Sequence, residues 1–413
     1  MIQKPQTKFF PFLYLLMFVV VLYSINDMAT STNAYQAQGN RTMVYFALIG
    51  IIVLLGFYFL YVWTYLGIKF IAPVGILITI TIWVALDNFL LDNIIGSANM
   101  WTSITHTGLS LWWVLALFFG YYYPRNNIHK QKQLMFFVVL MFFYYCWQFV
   151  SVLIESNAKH DETTVLNLVY RVLVFVPAIY LLESRKFRNV LLLVIFAITV
   201  ASMKRGAIII LPIMMLVAIF VDNRENKNAL KKIGRIVGMI ILGIVAFFVA
   251  DSITDGFLSH RFSLEELMYG SSRSDKYAAA IEEIKTRSIS ELILGIGSGV
   301  RGGVHNEVLE FLYTFGIVGL LLYIILIISM IMRFIELYKA KSKFASIYAM
   351  IVVFFIVVGI YSGVYFTHST FYLMLVMGII ESRINEEKRN NENRNNNVAG
   401  RQLWGNASSY RFK

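Results

Sequence analysis

Residues 299–319, GVRGGVHNEVLEFLYTFGIVG, set His305, Asn306, Glu307 and Glu310 directly before a run apolar enough to enter a membrane. Hydrocarbon penalises polar groups that lack partners, so this stretch either sits in water or performs chemistry. An imidazole with an unperturbed pKa of about 6.5 can take or give a proton near working pH, which suits a general base. His305 is accordingly the candidate catalytic base and Glu307 the second candidate; a helix-start cap or interfacial residue is the plain alternative for His305. Asn306 is of the type that caps a helix by accepting an orphan amide proton. Glu310, one turn further on, either orients Asn306 or faces water.

Cations stand where solvation and orientation argue against them. SMKRGA, residues 202–207, puts Lys204 and Arg205 at a helix–helix junction, and NLVYRVLVF puts Arg171 inside an apolar run. Intramembrane cations cost several kcal/mol and face a cavity or an anionic partner. Snorkelling, or an internal ion pair with Asp87 or Glu155, is the alternative. Residues 251–310 hold ten carboxylates against six cations, Arg261, Arg273, Lys276, Lys285, Arg287 and Arg301. Such cations act one at a time, which suits neutralisation of a defined anion better than attraction to a diffuse surface. Metal ligands are not clustered; KHDETT at 159–164 is the nearest approach, and solvated loop residues explain it. Cys146 is a lone cysteine, which rules out an internal disulfide or a cysteine-built metal site. The chemistry is therefore expected to need neither metal nor cofactor.

The elements that must position these residues are helices. With 58% hydrophobic residues, 15% charged residues and a mean hydropathy of +0.66, the chain falls outside the range of soluble domains. A crossing needs about 20 apolar residues. Twelve candidate spans follow, near 9–25, 43–63, 70–90, 107–123, 134–154, 165–182, 189–203, 206–221, 234–250, 311–332, 345–366 and 368–380. The expected fold is an all-α, polytopic membrane protein. Its parts are nine helices over 1–250, one long extracytoplasmic loop with short helices over 251–310, three helices over 311–383, and a disordered cytoplasmic tail over 384–413. The first span lacks a cleavage site and reads as a retained helix. Stretches such as YYYPRNNIHKQKQ, ESRKFRN and RFIELYKAKSKF carry the Lys/Arg excess and belong inside, with both termini cytoplasmic. The net charge of +12 is then topology, with no nucleic-acid partner implied.

Inside the loop, SDKYAAAIEEIKTRSISELIL predicts an amphipathic helix capped by Ser274, with Tyr277, Ala278, Ile281 and Ile284 on one face. GIGSGVRGG then supplies five glycines in nine residues, either a plain loop or an anion-binding turn. Phe311 onward is expected to anchor the helix in lipid. Trp83, Trp101, Trp112 and Trp113 are the best candidates for stacking on a sugar, although packing is the commoner role for such residues.

Three ordered motifs resemble the O-antigen polymerase and ligase superfamily of bacterial membrane glycosyltransferases. ASMKRGAIIILPIMM looks like the family's Ser-x-x-Arg-Gly junction. GSSRSDKYAAAIEEI followed by LILGIGSG looks like its outer-loop Arg helix and Gly-x-Gly. HNEVLEFLYTFGIVGLLLYI is similar to its His-Asn-x-x-Leu and Gly-Ile-x-Gly-Leu. Together they cover roughly 200–325; the Arg-x10-Gly spacing described for polymerases is not found. The resemblance implies an enzyme of the bacterial inner membrane that acts at its outer face. Donor and acceptor would be undecaprenyl-diphosphate-linked oligosaccharides, with membrane lipid and a chain-length regulator protein as further partners. Arginine pairs bidentately with phosphate and stays charged. Arg205 first, then Lys204, Arg171, Arg273 and Arg301, are the expected diphosphate-binding residues, with His305 or Glu307 as base. A ligase delivering glycan to lipid A–core is the close alternative, and a lipid-linked oligosaccharide flippase is the non-enzyme alternative.

Overall fold

The computed structural model describes residues 10–32, 41–66, 72–91, 100–125, 127–158, 167–222, 272–298 and 306–408 except 364, 366 and 368, with residue 304 and scattered positions between 234 and 263. Every regular element among the described residues is helical: α1 Phe10–Thr32, α2 Arg41–Leu66, α3 Ala72–Leu86 running into a π-helical turn Asp87–Leu91, α4 Met100–Tyr122, α5 Ile128–Ala158, α6 Val169–Leu173, α7 Val176–Tyr180, α8 Arg185–Ala201, α9 Arg205–Asp222, α10 Ser272–Thr286, α11 Ile289–Leu294, α12 Glu307–Lys339, α13 Ala345–Tyr361 and α14 Thr370–Ser408. Among the described residues, five stretches are long and apolar enough to cross a membrane: Phe46–Tyr65, Ser103–Tyr122, Ile128–Ile154, Arg205–Asp222 and Glu307–Lys339. Shorter apolar helices cover Phe12–Ile25, Pro73–Phe89, Val169–Tyr180 and Ala345–Ile360. This is an all-helical membrane protein.

Two expected elements differ in form. The span expected at 165–182 is broken between α6 and α7, where Pro177 enters the first turn of α7 and offers no amide. The last helix does not stop at the membrane: α14 continues to Ser408, through residues whose composition predicts disorder. Its first half, from Thr370 to Ile384, is almost wholly buried. A packed first half removes the cost of nucleation, and each further turn then adds at little cost.

The bundle is organised around α4, whose apolar window is 67% buried against 28% for α2 at the edge. α4 packs on α14, α2 and α3, while α13 packs on α9 and α12. The crossing of α4 and α14 is made at Gly120 and Gly378. A Cβ on Gly378 would stand 2.8 Å from the Tyr121 amide nitrogen, and one on Gly120 would stand 3.1 Å from the Leu375 carbonyl carbon. The two backbones touch, as small residues permit in membranes, where close van der Waals contact replaces the hydrophobic effect.

One pole of the bundle carries a cluster of ion pairs and polar contacts. Arg333 grips Glu381 through Nε at 2.8 Å and Nη2 at 2.6 Å, and Gln131 donates to Glu386 at 2.9 Å. Lys343 pairs with Glu387, Asn385 donates to the Tyr121 hydroxyl, and Glu183 lies within electrostatic reach of Arg383. Tyr180 reaches Met215 Sδ at 3.8 Å beneath the Arg188 guanidinium, 5.2 Å from its ring. This pole therefore gathers residues 121–131, 180–188, 215–222, 333–343 and 381–387. The directions of α9, α12 and α13 place the 202–205 turn, the start of α12 and the end of α13 at the opposite pole, about 27 Å away along α9.

Candidate active site

The second pole is built around a break in α12. Gly316 has φ 65° and ψ −168°, backbone angles that essentially only glycine adopts. Such a break leaves the carbonyls of the preceding turn without the donors of a continuing helix. Each is supplied from elsewhere. The Arg287 guanidinium Nη1 donates to the Tyr313 carbonyl. The Ile296 and Gly297 amides donate to the Thr314 carbonyl at 2.9 and 3.0 Å. The Trp83 indole donates to the Phe315 carbonyl at 3.2 Å. Three consecutive carbonyls are thus closed by three different segments of the chain.

Trp83 comes from α3; Arg287 and the 296–297 amides flank α11, a short helix that the sequence builds locally. Ser288 and Glu291 form a reciprocal capping box at the start of α11, and Gly295 ends it with φ 99° and ψ −175°. The Glu291 carboxylate is held below the usual carboxylate range by the Ser288 backbone amide and then by its hydroxyl. The two glycines meet backbone to backbone. A Cβ on Gly295 would stand 2.6 Å from Phe315 Cα, and one on Gly316 would stand 2.6 Å from the Gly295 nitrogen. The Gly-x-Gly of the loop and the Gly-Ile-x-Gly of the span, read as separate motifs, are the two halves of one contact.

A small core seals it. Ala280, Ile296, Val304 and Tyr313 are buried together, with Tyr277, Ile284 and Leu309 against them. The buried face of α10 is therefore Tyr277, Ala280 and Ile284, while Ala278 and Ile281 face outward. The expected face was displaced because Tyr313 decides which stripe is covered. The expected single helix is divided at Arg287 and Ser288, and it begins at Ser272, so Ser274 lies within it. Arg287 lies 4.2 Å from the centroid of the Tyr313 ring, its Nη2 3.5 Å from Glu283, whose carboxylate also takes the Tyr313 hydroxyl proton. With its side chain 5% exposed, Arg287 is an interior residue, whereas Lys285 pairs with Glu282 on the surface at 2.7 Å.

The glycine turn is not an anion cradle at 295–298. Gly295 donates its amide to Glu291, Ile296 and Gly297 donate to Thr314, and Ser298 donates to Asn88 Oδ1 at 2.9 Å. All four amides are spent within the protein. Asn88 is the hub on the other side. Its Oδ1 also takes the Ser298 hydroxyl at 2.7 Å, and its amide nitrogen donates to Thr107 Oγ1 at 3.1 Å. Asn88 and the fully buried Asp87 sit in the π-helical turn after α3, a distortion often found at functional sites. A polar pair inside LDNFL was the available signal for this hub.

The start of α12 is fixed as its sequence suggests. Asn306 caps the helix, taking the Leu309 amide at 3.1 Å. Glu310 turns back to take the Val304 amide instead of facing water. Glu307 is 2% exposed; its Oε1 takes the Tyr365 amide at 2.8 Å, and Gly359 and Gly363 leave room for the side chain. It pins α12 to the segment after α13. Phe311 does not anchor in lipid. It is buried, stacked on Tyr323 at 4.6 Å and edge-on to Tyr365 at 5.0 Å, because these aromatic rings pack against its face of the helix. His305 and Arg301 lie outside the described residues, and Arg273 lies on α10 with its side chain outside them.

Lys204 and Arg205 sit at the same pole. Ser202, Met203 and Lys204 turn the chain between α8 and α9, with Met203 in the left-handed region at φ 51°. Ser202 fastens the turn, donating its hydroxyl to Thr199 at 2.7 Å and taking the Lys204 amide at 3.3 Å. Lys204 and Arg205, both half-buried, add positive charge to the positive end of α9, where a helix gains nothing from cations. Arg171 is on α6, which packs against both α8 and α9. Trp112 and Trp113 are fully buried, Trp113 against Tyr365 at 4.2 Å, so the core and not a sugar occupies their faces. Among the described residues no cluster of His, Cys, Asp and Glu could hold a metal ion.

No family model matches the chain, and no curated protein matches it.

Proposed function

We propose that this protein is a polysaccharide polymerase of the bacterial inner membrane. It would transfer a glycan from a polyprenyl diphosphate carrier onto a lipid-linked repeat unit, without a metal. In this reading the chain crosses the membrane twelve times. The basic pole is cytoplasmic, because Lys/Arg-rich segments stay inside. The rim around Gly316 is then the outer face and residues 251–310 the extracytoplasmic loop.

The observation that carries the reading is the convergence at one pole of three separated motifs, the Ser-x-x-Arg turn, the Gly-x-Gly and the Asn306–Gly319 segment. In the reaction the acceptor hydroxyl oxygen attacks the anomeric carbon, and the bond from that carbon to the diphosphate oxygen breaks. The hydroxyl proton passes to the His305 imidazole. The departing diphosphate, gaining charge, is neutralised by Arg205 and Lys204, with Arg171, Arg273 and Arg301 as further cations. Preorganised cations of this kind act where charge develops in the transition state. Glu307, committed to the Tyr365 amide, anchors the segment and leaves the base role to its neighbour.

The test is complementation of a polymerase-deficient host from the native locus with wild type, Arg205→Ala and His305→Ala at matched expression. A glycan ladder from wild type and single-repeat glycan from either variant is the expected result, since a positioned base is worth about 10²–10⁴-fold. Loss of all glycan on the core with lipid-linked polymer accumulating identifies a ligase. An unaltered ladder from both variants removes these residues from the site.

A further inference from the structure

The nine residues from Glu307 to Phe315 form a helix of about two and a half turns, too short to hold its own geometry. Its start is fixed by the Asn306 cap and by the Glu307 contact to Tyr365. The backbone of its end is held where the loop and Trp83 reach the three carbonyls before Gly316. Among those donors Arg287 alone is charged. A cation at the C-terminal end of a helical segment complements its dipole, and the same guanidinium stacks on the Tyr313 ring. Its side chain is 5% exposed and enclosed by Glu283 and Tyr313, so it has no open face for a diphosphate.

We propose that Arg287 is a positioning residue that closes the Gly316 break from the loop side and thereby fixes the Asn306–Glu310 turn. The role in catalysis rests on the glycosyl-transfer reading above; the closure itself does not. About 10 Å of helix separates the Arg287 contact at Tyr313 from the cap at Asn306, so a shift at one end is delivered to the other. Misplacement of a catalytic group by about 1 Å can cost about 10²-fold in rate. Arg287 differs in kind from Arg205, which in the same reading touches the substrate.

The experiment uses full-length wild type, Arg287→Ala, Arg287→Lys and Arg205→Ala in nanodiscs. The probe is lipid-diphosphate oligosaccharide extracted from the polymerase-deleted native host. Amide hydrogen exchange over 288–298 and 306–319 reads the closure, and initial rates read the reaction. Arg287→Ala is expected to speed exchange in both segments and to lower kcat by about 10²-fold, with KM for the donor held at its wild-type value. Arg287→Lys, which keeps one donor and the charge, recovers part of both, and it remains informative if Arg287→Ala does not fold. Arg205→Ala, which loses a contact to the donor diphosphate, raises KM as well as lowering kcat and leaves exchange alone. Unchanged exchange in Arg287→Ala and Arg287→Lys overturns the closure. Faster exchange at full turnover overturns the positioning role, as does a rise in KM matching that of Arg205→Ala. A wild type that exchanges slowly yet transfers no glycan overturns the glycosyl-transfer reading and the positioning role with it, while the variants still report on the closure.

Discussion

Gly120 and Gly378 bring two helices into backbone contact inside the bundle; Gly295 and Gly316 bring a loop into backbone contact with a broken helix at the rim. The first pair keeps ordinary helical backbone, and glycine is needed there only for space. The second pair needs space and, in addition, backbone angles closed to other residues. The crossing of α4 and α14 joins elements that are already formed. The rim contact creates an element, because the carbonyls freed by the break are satisfied only when the loop is docked. A glycine pair can thus serve packing alone or can define a site.

The comparison breaks first at its largest effect. Gly378→Leu drives a side chain into the Leu117–Tyr121 backbone and is expected to cost about 3 kcal/mol or more, at the top of the overpacking range. The measurement is the yield and thermal midpoint of monodisperse protein, both of which should fall. Retention of the wild-type midpoint would mean that the helices can part at no cost.

Gly316→Ala should act locally, adding backbone strain of about 1–3 kcal/mol and pressing its Cβ on the Ile293–Gly295 backbone. Amide exchange should rise over 288–298 and 306–319 while the bundle melts near its wild-type midpoint. If exchange rises throughout the bundle instead, the rim is part of the same cooperative unit and the distinction fails.

The smallest effect sharpens the rim alone. The Glu291 carboxyl is held low when folded, so its capping contribution is present above the unfolded value of about 4.3 and is lost as pH falls through the folded one. Protection of the 289–295 amides should exceed that of Glu291→Gln near neutrality and converge with it in acid. Equal protection at neutral pH would show that the capping box does not need the charge.

Much of the scaffold was legible because its signals are local. Long apolar runs gave the helices, Asn306 announced its own cap, and Ser202 to Arg205 announced a turn between two helices. The roles at the rim were not legible, since they depend on partners distant in sequence. Arg287 looks like any loop cation until Tyr313 is seen beneath it, 26 residues away. Glu307 looks like a base until Tyr365 is found on its carboxylate, and Trp112 and Trp113 look like sugar platforms until the core closes over them. The stripe of α10 that is buried, one residue away from the expected face at Ala280, was likewise chosen by Tyr313.

By itself, the sequence determined that this chain is an all-helical membrane protein with its glycines and a polar helix start concentrated in one third of its length. Hydropathy, capping and charge bias act within a few residues, so no folding partner is needed to read them. Only the tertiary structure decided that the glycine motifs are two sides of one contact, that the amides between them are spent on protein acceptors, and that an arginine closes the break. Those facts turn on which carbonyl a donor reaches across the fold, and no local pattern encodes that distance.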